Sequence, residues 1–208
     1  MDADDSDPID REGESDLREA AAAIEAGDLV VYPTETVYGL GADGTDPDAI
    51  ERVFEAKRRP RDRPISIAVP DIATAANYTA LSLRDEEFMR VFLPGPVTVV
   101  VEADPSLPSV LTAGRDRVGI RIPDHPIAMS LLERVAPTPV TATSANESGD
   151  PSPRSIGEVP GSILANAVAL DGGTTPGGAS TVVDPSREVI HRRGDRADAI
   201  EAWLSNRP

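Results

Sequence analysis

Residues 29–65 read LVVYPTETVYGLGADGTDPDAIERVFEAKRRPRDRPI, and the alternation of short apolar runs with a capped helical stretch sets the fold class. Leu29 to Tyr32 predicts a strand that Pro33 stops. Tyr38 to Asp43 predicts a second short strand, whose glycines allow a ligand or a neighbouring backbone to come close. Asp46 with Pro47 starts a helix, and IERVFEAK sets Ile50, Val53, Phe54 and Lys57 on adjoining rows of one face. After Pro60 and Pro64, ISIAV is a strand again. Strands and helices mixed in this order predict an α/β domain on one twisted, mixed sheet.

Directly after that helix come Lys57, Arg58, Arg59, Arg61 and Arg63, five of the chain's 20 positive side chains and its only lysine. Cations this close repel one another unless an anion sits among them. The run therefore points to a polyanion site, most simply for a nucleoside triphosphate. It reads equally as a solvated basic turn, favoured by the helix dipole at a C-terminus.

The 208 residues suit one domain with a core that must be aliphatic, since aromatics make up 3%. Residues 1–14 carry seven acids and one arginine, which predicts a disordered acidic tail ahead of a domain over 15–208. A net charge of −16 opposes bulk nucleic acid and anionic membrane, so no stable nucleic-acid binding is expected and any anion site must be local. Acids in excess, abundant arginine and almost no lysine suggest adaptation to high salt, with a halophilic archaeon as source. Without cysteine there is no disulfide, thiolate nucleophile or cysteine metal site. The N-terminus has no basic and apolar regions of a secretory signal, and no apolar run approaches the ~20 residues of a membrane span. A cytoplasmic location is the expectation.

Elsewhere, Ser15 offers a cap to a helix running through LREAAAAIEAG to Gly27. Ile72–Tyr78 and Leu83–Leu93 predict helices, the second opened by Ser82. The strand VTVVVEA follows Pro94-Gly95-Pro96, and its β-branched run suits burial. Val118–Ile122 and Pro139–Thr143 predict strands around a helix from Pro126 to Val135. Residues 146–162, rich in Ser, Gly and Pro, predict a mobile loop. Ala167–Leu170, Ser180–Asp184 and Glu188–Arg192 predict late strands, and Ala197–Leu204 a closing helix.

Gly39 to Gly44 fits G-x-G-x-x-G, yet six residues separate it from the preceding strand, and Asp62 stands among arginines where a ribose-binding acid would be needed. No G-x-x-x-x-G-K precedes the single lysine, which excludes a P-loop. With two histidines and no carboxylate-histidine grouping, no protein-built metal site is expected. His125 stands at a helix entry, where it caps, packs or touches a ligand. Thr141 to Gly149, TATSANESG, is a strand end rich in hydroxyl and amide groups, which suits either a polar pocket at strand ends or an ordinary capped loop. Arg121 alternates with Ile120 and Ile122, so its fork faces away from them, toward a carboxylate or toward solvent. Ser180-Thr181 after two glycines, and Arg192-Arg193-Gly194 after a strand, are further candidates.

In combination these segments resemble the YrdC/Sua5 family of threonylcarbamoyl-adenylate synthases. PTETVYGLG, the K-x-R-P run of Lys57 to Pro60, LPGPVT at 93–98, VGIRIPDHP at 118–126, Ser144 with Asn146, and GGASTVVD at 177–184 occur in the family's order, and the likeness covers about residues 15 to 205. It implies a twisted, mostly mixed sheet flanked by helices around a positively charged cavity, in the short, single-domain form. The implied reaction joins L-threonine, bicarbonate and ATP into threonylcarbamoyl-AMP and pyrophosphate. A downstream tRNA threonylcarbamoyl transferase complex then forms t6A at adenosine 37 of ANN-decoding tRNAs.

By the same resemblance, Lys57 and Arg59 serve the ATP phosphates as the catalytic cations, with Ser144 and Asn146 completing the nucleotide side. Thr34 and Arg121 hold threonine, Arg121 on its carboxylate, with Ser180 near that end. Thr143, Ser152 and Arg193 are further ATP contacts, and Thr141 a further threonine contact. Mg2+ is expected as a companion of the phosphates rather than in a protein cage. Two other readings remain: a carbamoyl-adenylate-forming relative, as in hydrogenase-maturation carbamoyltransferases, whose zinc-finger segments a cysteine-free chain lacks, and a non-catalytic RNA-binding module.

Overall fold

The computed structural model describes residues 11–206. The acidic tail expected over 1–14 lies outside that range up to residue 10, and its last four residues belong instead to the first helix. This helix, α1 (Arg11–Glu25), opens one turn before Ser15 and ends where Gly27 adopts φ +79°. There follow β1 (Leu29–Tyr32), β2 (Gly39–Gly41), α2 (Pro47–Ala56), β3 (Ser66–Ala68), α3 (Ile72–Ala75), β4 (Thr79–Ala80), α4 (Leu83–Phe92), β5 (Val97–Ala103), α5 (Ser109–Thr112) and β6 (Arg117–Arg121). The chain continues through α6 (Pro126–Val135), β7 (Val140–Ser144), a 3-10 turn at Ile156–Glu158, α7 (Gly161–Leu164), β8 (Ala167–Ala169), β9 (Thr181–Asp184), β10 (Val189–Arg192) and α8 (Ala197–Ser205). The brief elements β4, α5 and α7 fall where no regular structure was expected, being too short for a periodic pattern to register.

Local signals account for the longer helices. Asp46 accepts a hydrogen bond from the Asp48 amide at 2.9 Å ahead of Pro47, and Ser82 and Asp85 cap α4 reciprocally. The strands join in one ten-stranded mixed sheet of order β10-β9-β5-β6-β3-β7-β2-β1-β8, with β4 also paired to β5. Pairs β1/β8, β3/β6 and β5/β9 are parallel and the remainder antiparallel.

One face of this sheet is covered by α2, α4, α7 and α8, which bury Ile50, Val53, Phe54, Phe88, Met89, Ile163 and Ile200 against Leu40, Ile67, Val99, Ile120 and Val183. The core is largely aliphatic as composition requires, but its few aromatics gather: the Phe88 ring lies 4.5 Å from Phe92 and 5.0 Å from Trp203. On the other face α1 and α6 cover only the β1 side, where Leu17, Ala20 and Ile24 meet Leu131, Leu132 and Val135 over Val30, Ala68 and Val140. The rest of that face carries the cavity.

Candidate functional site

Period-two alternation decides what floors the cavity. On β6, Val118 and Ile120 point to the core while Arg117, Gly119 and Arg121 point the other way. Neighbouring strands contribute Ser66, Ala68, Thr98, Val100 and Ala142 to the same hollow of about 520 Å³. These small side chains leave the space open. At Gly119 a Cβ would stand 2.4 Å from Ser66 Oγ and 2.8 Å from Thr98 Cγ2, so the floor is already packed to contact.

Cations dominate the walls. Arg59, Arg115, Arg117, Arg121, Arg187 and Arg192 line the hollow with His191, and Asp184 is the single lining carboxylate among the described residues. Several guanidinium groups are held by the chain itself. Arg59 donates from Nε to Arg63 O at 3.0 Å and from Nη2 to Pro64 O at 2.9 Å. Arg121 donates from Nη2 to Thr36 Oγ1 at 2.7 Å and to Glu35 Oε1 at 2.9 Å. Arg192 donates to Ser180 O at 3.0 Å and to Ser180 Oγ at 2.7 Å. Burial holds Arg59 and Arg192 below the ordinary arginine range, with Arg63 acting on the first and Arg121 on the second. Arg117 pairs with buried Asp184 at 2.6 Å.

Of the residues expected at the site, Thr34, Arg59, Arg121, Thr143, Ser144, Ser152 and Ser180 line this one cavity. The Thr34 hydroxyl donates to Val37 O at 2.7 Å and contacts Thr36 Oγ1 at 3.0 Å, which shapes the turn after Pro33. Lys57 lies one layer behind. The residue is 2% exposed, and its ammonium donates to the carbonyls of Ser144 and, at 2.6 Å, Asn146. Burial, reinforced by Arg59, lowers its pKa to about 8. Asn146 is occupied within its own loop, donating to Glu147 O at 2.7 Å and Asp150 O at 2.9 Å while its Oδ1 accepts from Ser144. Thr141 sits inside the sheet, its hydroxyl accepting from the Ala42 amide at 3.0 Å. Arg193 points outward to Asp198 at 2.7 Å and to Glu201.

From the basic run, Arg59 alone turns into the cavity, whereas Arg58 pairs with Glu147 and Arg61 with Glu51. His125 precedes α6 without a side-chain cap bond. Its Nδ1 is buried without a hydrogen-bond partner, and desolvation lowers its pKa despite nearby Glu35.

Sequence reasoning overlooked Thr36 and Arg117, and of the candidate pair Arg192-Arg193 it gave a role to Arg193. Arg117 had a signal, since it lies four residues before Arg121 on one strand. That Arg192 rather than Arg193 turns inward had no signal, because the register slips between Ile190 and Arg192, a bulge that re-aims the strand end. The arrangement can hold an elongated polyanion and a small carboxylate side by side, with hydroxyls to orient them.

Comparison with known proteins bears on this geometry. The Sua5/YciO/YrdC family model, described as telomere recombination, matches residues 22–194. A threonylcarbamoyl-AMP synthase of Pyrococcus abyssi is 42% identical over 172 residues, 81% of this chain and 50% of the relative. One from Bacillus subtilis is 36% identical over 195 residues, 90% of this chain and 56% of the relative. The chain thus spans about half the length of these two relatives. The crystal structure of P. abyssi Sua5 complexed with L-threonine superposes with a TM-score of 0.78 at 38% identity, covering 86% of this chain and 54% of that one.

Proposed function

The chain belongs to the Sua5/YciO/YrdC family, and from that premise we propose that it is an L-threonylcarbamoyladenylate synthase. Its substrates are L-threonine, bicarbonate and ATP, and its product serves t6A formation on ANN-decoding tRNAs through a downstream transferase in the cytoplasm. The observation that carries this reading is one hollow in which Arg121, with Thr34 and Ser180, and Arg59, with Thr143, Ser144 and Ser152, face the same space.

Threonine's amine attacks the carbon of bicarbonate, releasing water and giving a carbamate. A carbamate oxygen then attacks the α-phosphorus of ATP. The bond to the β-phosphate breaks, and pyrophosphate leaves with its electron pair. No side-chain nucleophile is needed. The chain's task is to orient two anions against their mutual repulsion and to neutralise the charge that builds on the leaving group.

Arg121 takes the threonine carboxylate, and the Thr34 hydroxyl faces the same end. Arg59, already fixed by two carbonyls, takes phosphate together with the Ser144 hydroxyl. Lys57 adds its charge from behind Ser144 while shaping the strand end with Asn146. Arg192, and not Arg193, lines the hollow, bonded to Ser180. Magnesium would travel with the phosphates and supply charge neutralisation. The lining fits that role, since Asp184, the one carboxylate lining it among the described residues, is engaged by Arg117.

The test is pyrophosphate exchange into ATP. Exchange that requires both threonine and bicarbonate supports the assignment. Exchange indifferent to threonine, or driven by carbamoyl phosphate instead, removes it.

A further inference from the structure

Opposite the cavity, the same two segments meet a second time. Arg58 carries φ +47°, in the left-handed region that a residue with a Cβ enters only at some cost. This reversal turns Lys57 and Arg58 to opposite sides of the chain. Arg58 Nη1 reaches Glu147 Oε2 at 2.9 Å, and the other carboxylate oxygen, Oε1, accepts from Ser162 Oγ at 3.2 Å. The carboxylate thus ties the exit of α2 to the start of α7.

The stretch from Ser144 to Asp150 lies between these contacts. On its inner side the Lys57 ammonium donates to the Ser144 and Asn146 carbonyls, and the Ser148 amide donates to Lys57 O at 2.8 Å. On its outer side stands the Glu147 carboxylate. We infer that the Arg58–Glu147–Ser162 chain is a latch that fixes the Ser144–Asp150 turn against Lys57, which makes Arg58 and Glu147 positioning residues for the cavity-facing Ser144 hydroxyl. The inference rests on the nucleotide reading of Ser144 for its functional consequence, but not for the latch itself.

The size of the effect follows from exposure. Arg58's side chain is 75% exposed and that of Glu147 22%, so solvent screens the pair and its loss loosens the turn without unfolding the chain. Amide exchange over residues 144–164 of the substrate-free protein reads the latch directly. Glu147→Gln and Arg58→Gln should each speed exchange there about threefold to fivefold, the scale of a partly exposed ion pair. The two changes together should do no more than either alone, and the swap Arg58→Glu with Glu147→Arg should restore much of the protection. Additive effects, or exchange that does not change, would overturn the latch. In parallel the KM for ATP should rise by a similar factor with that for threonine unchanged. Coupled exchange with an unmoved KM for ATP would retain the latch and remove the nucleotide role of Ser144.

Discussion

Arg121 and Glu35 are 2.9 Å apart at the cavity edge, so the guanidinium expected to grip a substrate carboxylate already holds one of the chain's own. Glu35 and Thr36 share Nη2 and fix the plane of the fork before any ligand arrives. A preset fork loses less freedom when it binds, which suits recognition of a small molecule with few other handles.

Arg121→Ala should therefore raise the KM for threonine roughly 10- to 100-fold, the scale of a charge-assisted hydrogen bond of about 1.5–3 kcal/mol. The KM for ATP should move far less. Arg121→Lys should recover little, because an ammonium cannot present a planar pair of donors. Initial-rate kinetics with each substrate varied in turn decides this, and equal losses for both substrates would contradict the division of the cavity.

Arg192 and Arg193 are adjacent in sequence and opposite in direction. Arg192→Ala removes a cation from the cavity wall and should lower kcat/KM at least ~10-fold. Arg193→Ala breaks exposed contacts to Asp198 and Glu201 and should stay within about twofold of the parent. The same pyrophosphate-exchange assay on both variants suffices, and the reverse ranking would discredit the wall as described.

Lys57 gives a pH signature. Its pKa falls from 10.5 to about 8 in the folded chain. Between those values the unfolded chain binds a proton that the folded chain lacks, so this group makes stability rise with pH across that window and adds no slope below it. The charge it lends to the nucleotide end is lost over the same range. ATP affinity should decline above about pH 8 in the parent, and Lys57→Met should abolish that decline while weakening ATP use at neutral pH. Leaving the Ser144 and Asn146 carbonyls short of a donor should also cost about 1–3 kcal/mol, readable by denaturant titration.

Gly119→Ala tests the floor. Its new methyl would meet Ser66 Oγ at 2.4 Å and Thr98 Cγ2 at 2.8 Å, closer than real contacts allow. A loss of about 1–3 kcal/mol of stability is expected, together with weaker binding of both substrates. Gly149→Ala, which meets nothing within 4 Å but sits at φ +105°, serves as the backbone-strain control.

Much of this fold is legible in sequence, because Asp46-Pro47, Ser82 and the β-branched run of β5 are local signals that the tertiary structure leaves intact. Two-residue β4 and four-residue α5 carry no period long enough to read. At the site, Arg121 and Ser144 announce themselves through strand alternation and a hydroxyl-rich strand end. The inward turn of Arg192 depends on a bulge, and the retreat of Lys57 behind Ser144 depends on two carbonyls from 87 and 89 residues away. Neither leaves a trace in composition or spacing.

With its single lysine 2% exposed, the folded molecule offers amine-reactive reagents no lysine on its surface. An acylating ester can mark Lys57 only when the structure around it opens. The mass of one tryptic peptide thereby becomes a counter of opening events, and a ligand that closes the cavity should slow that counter.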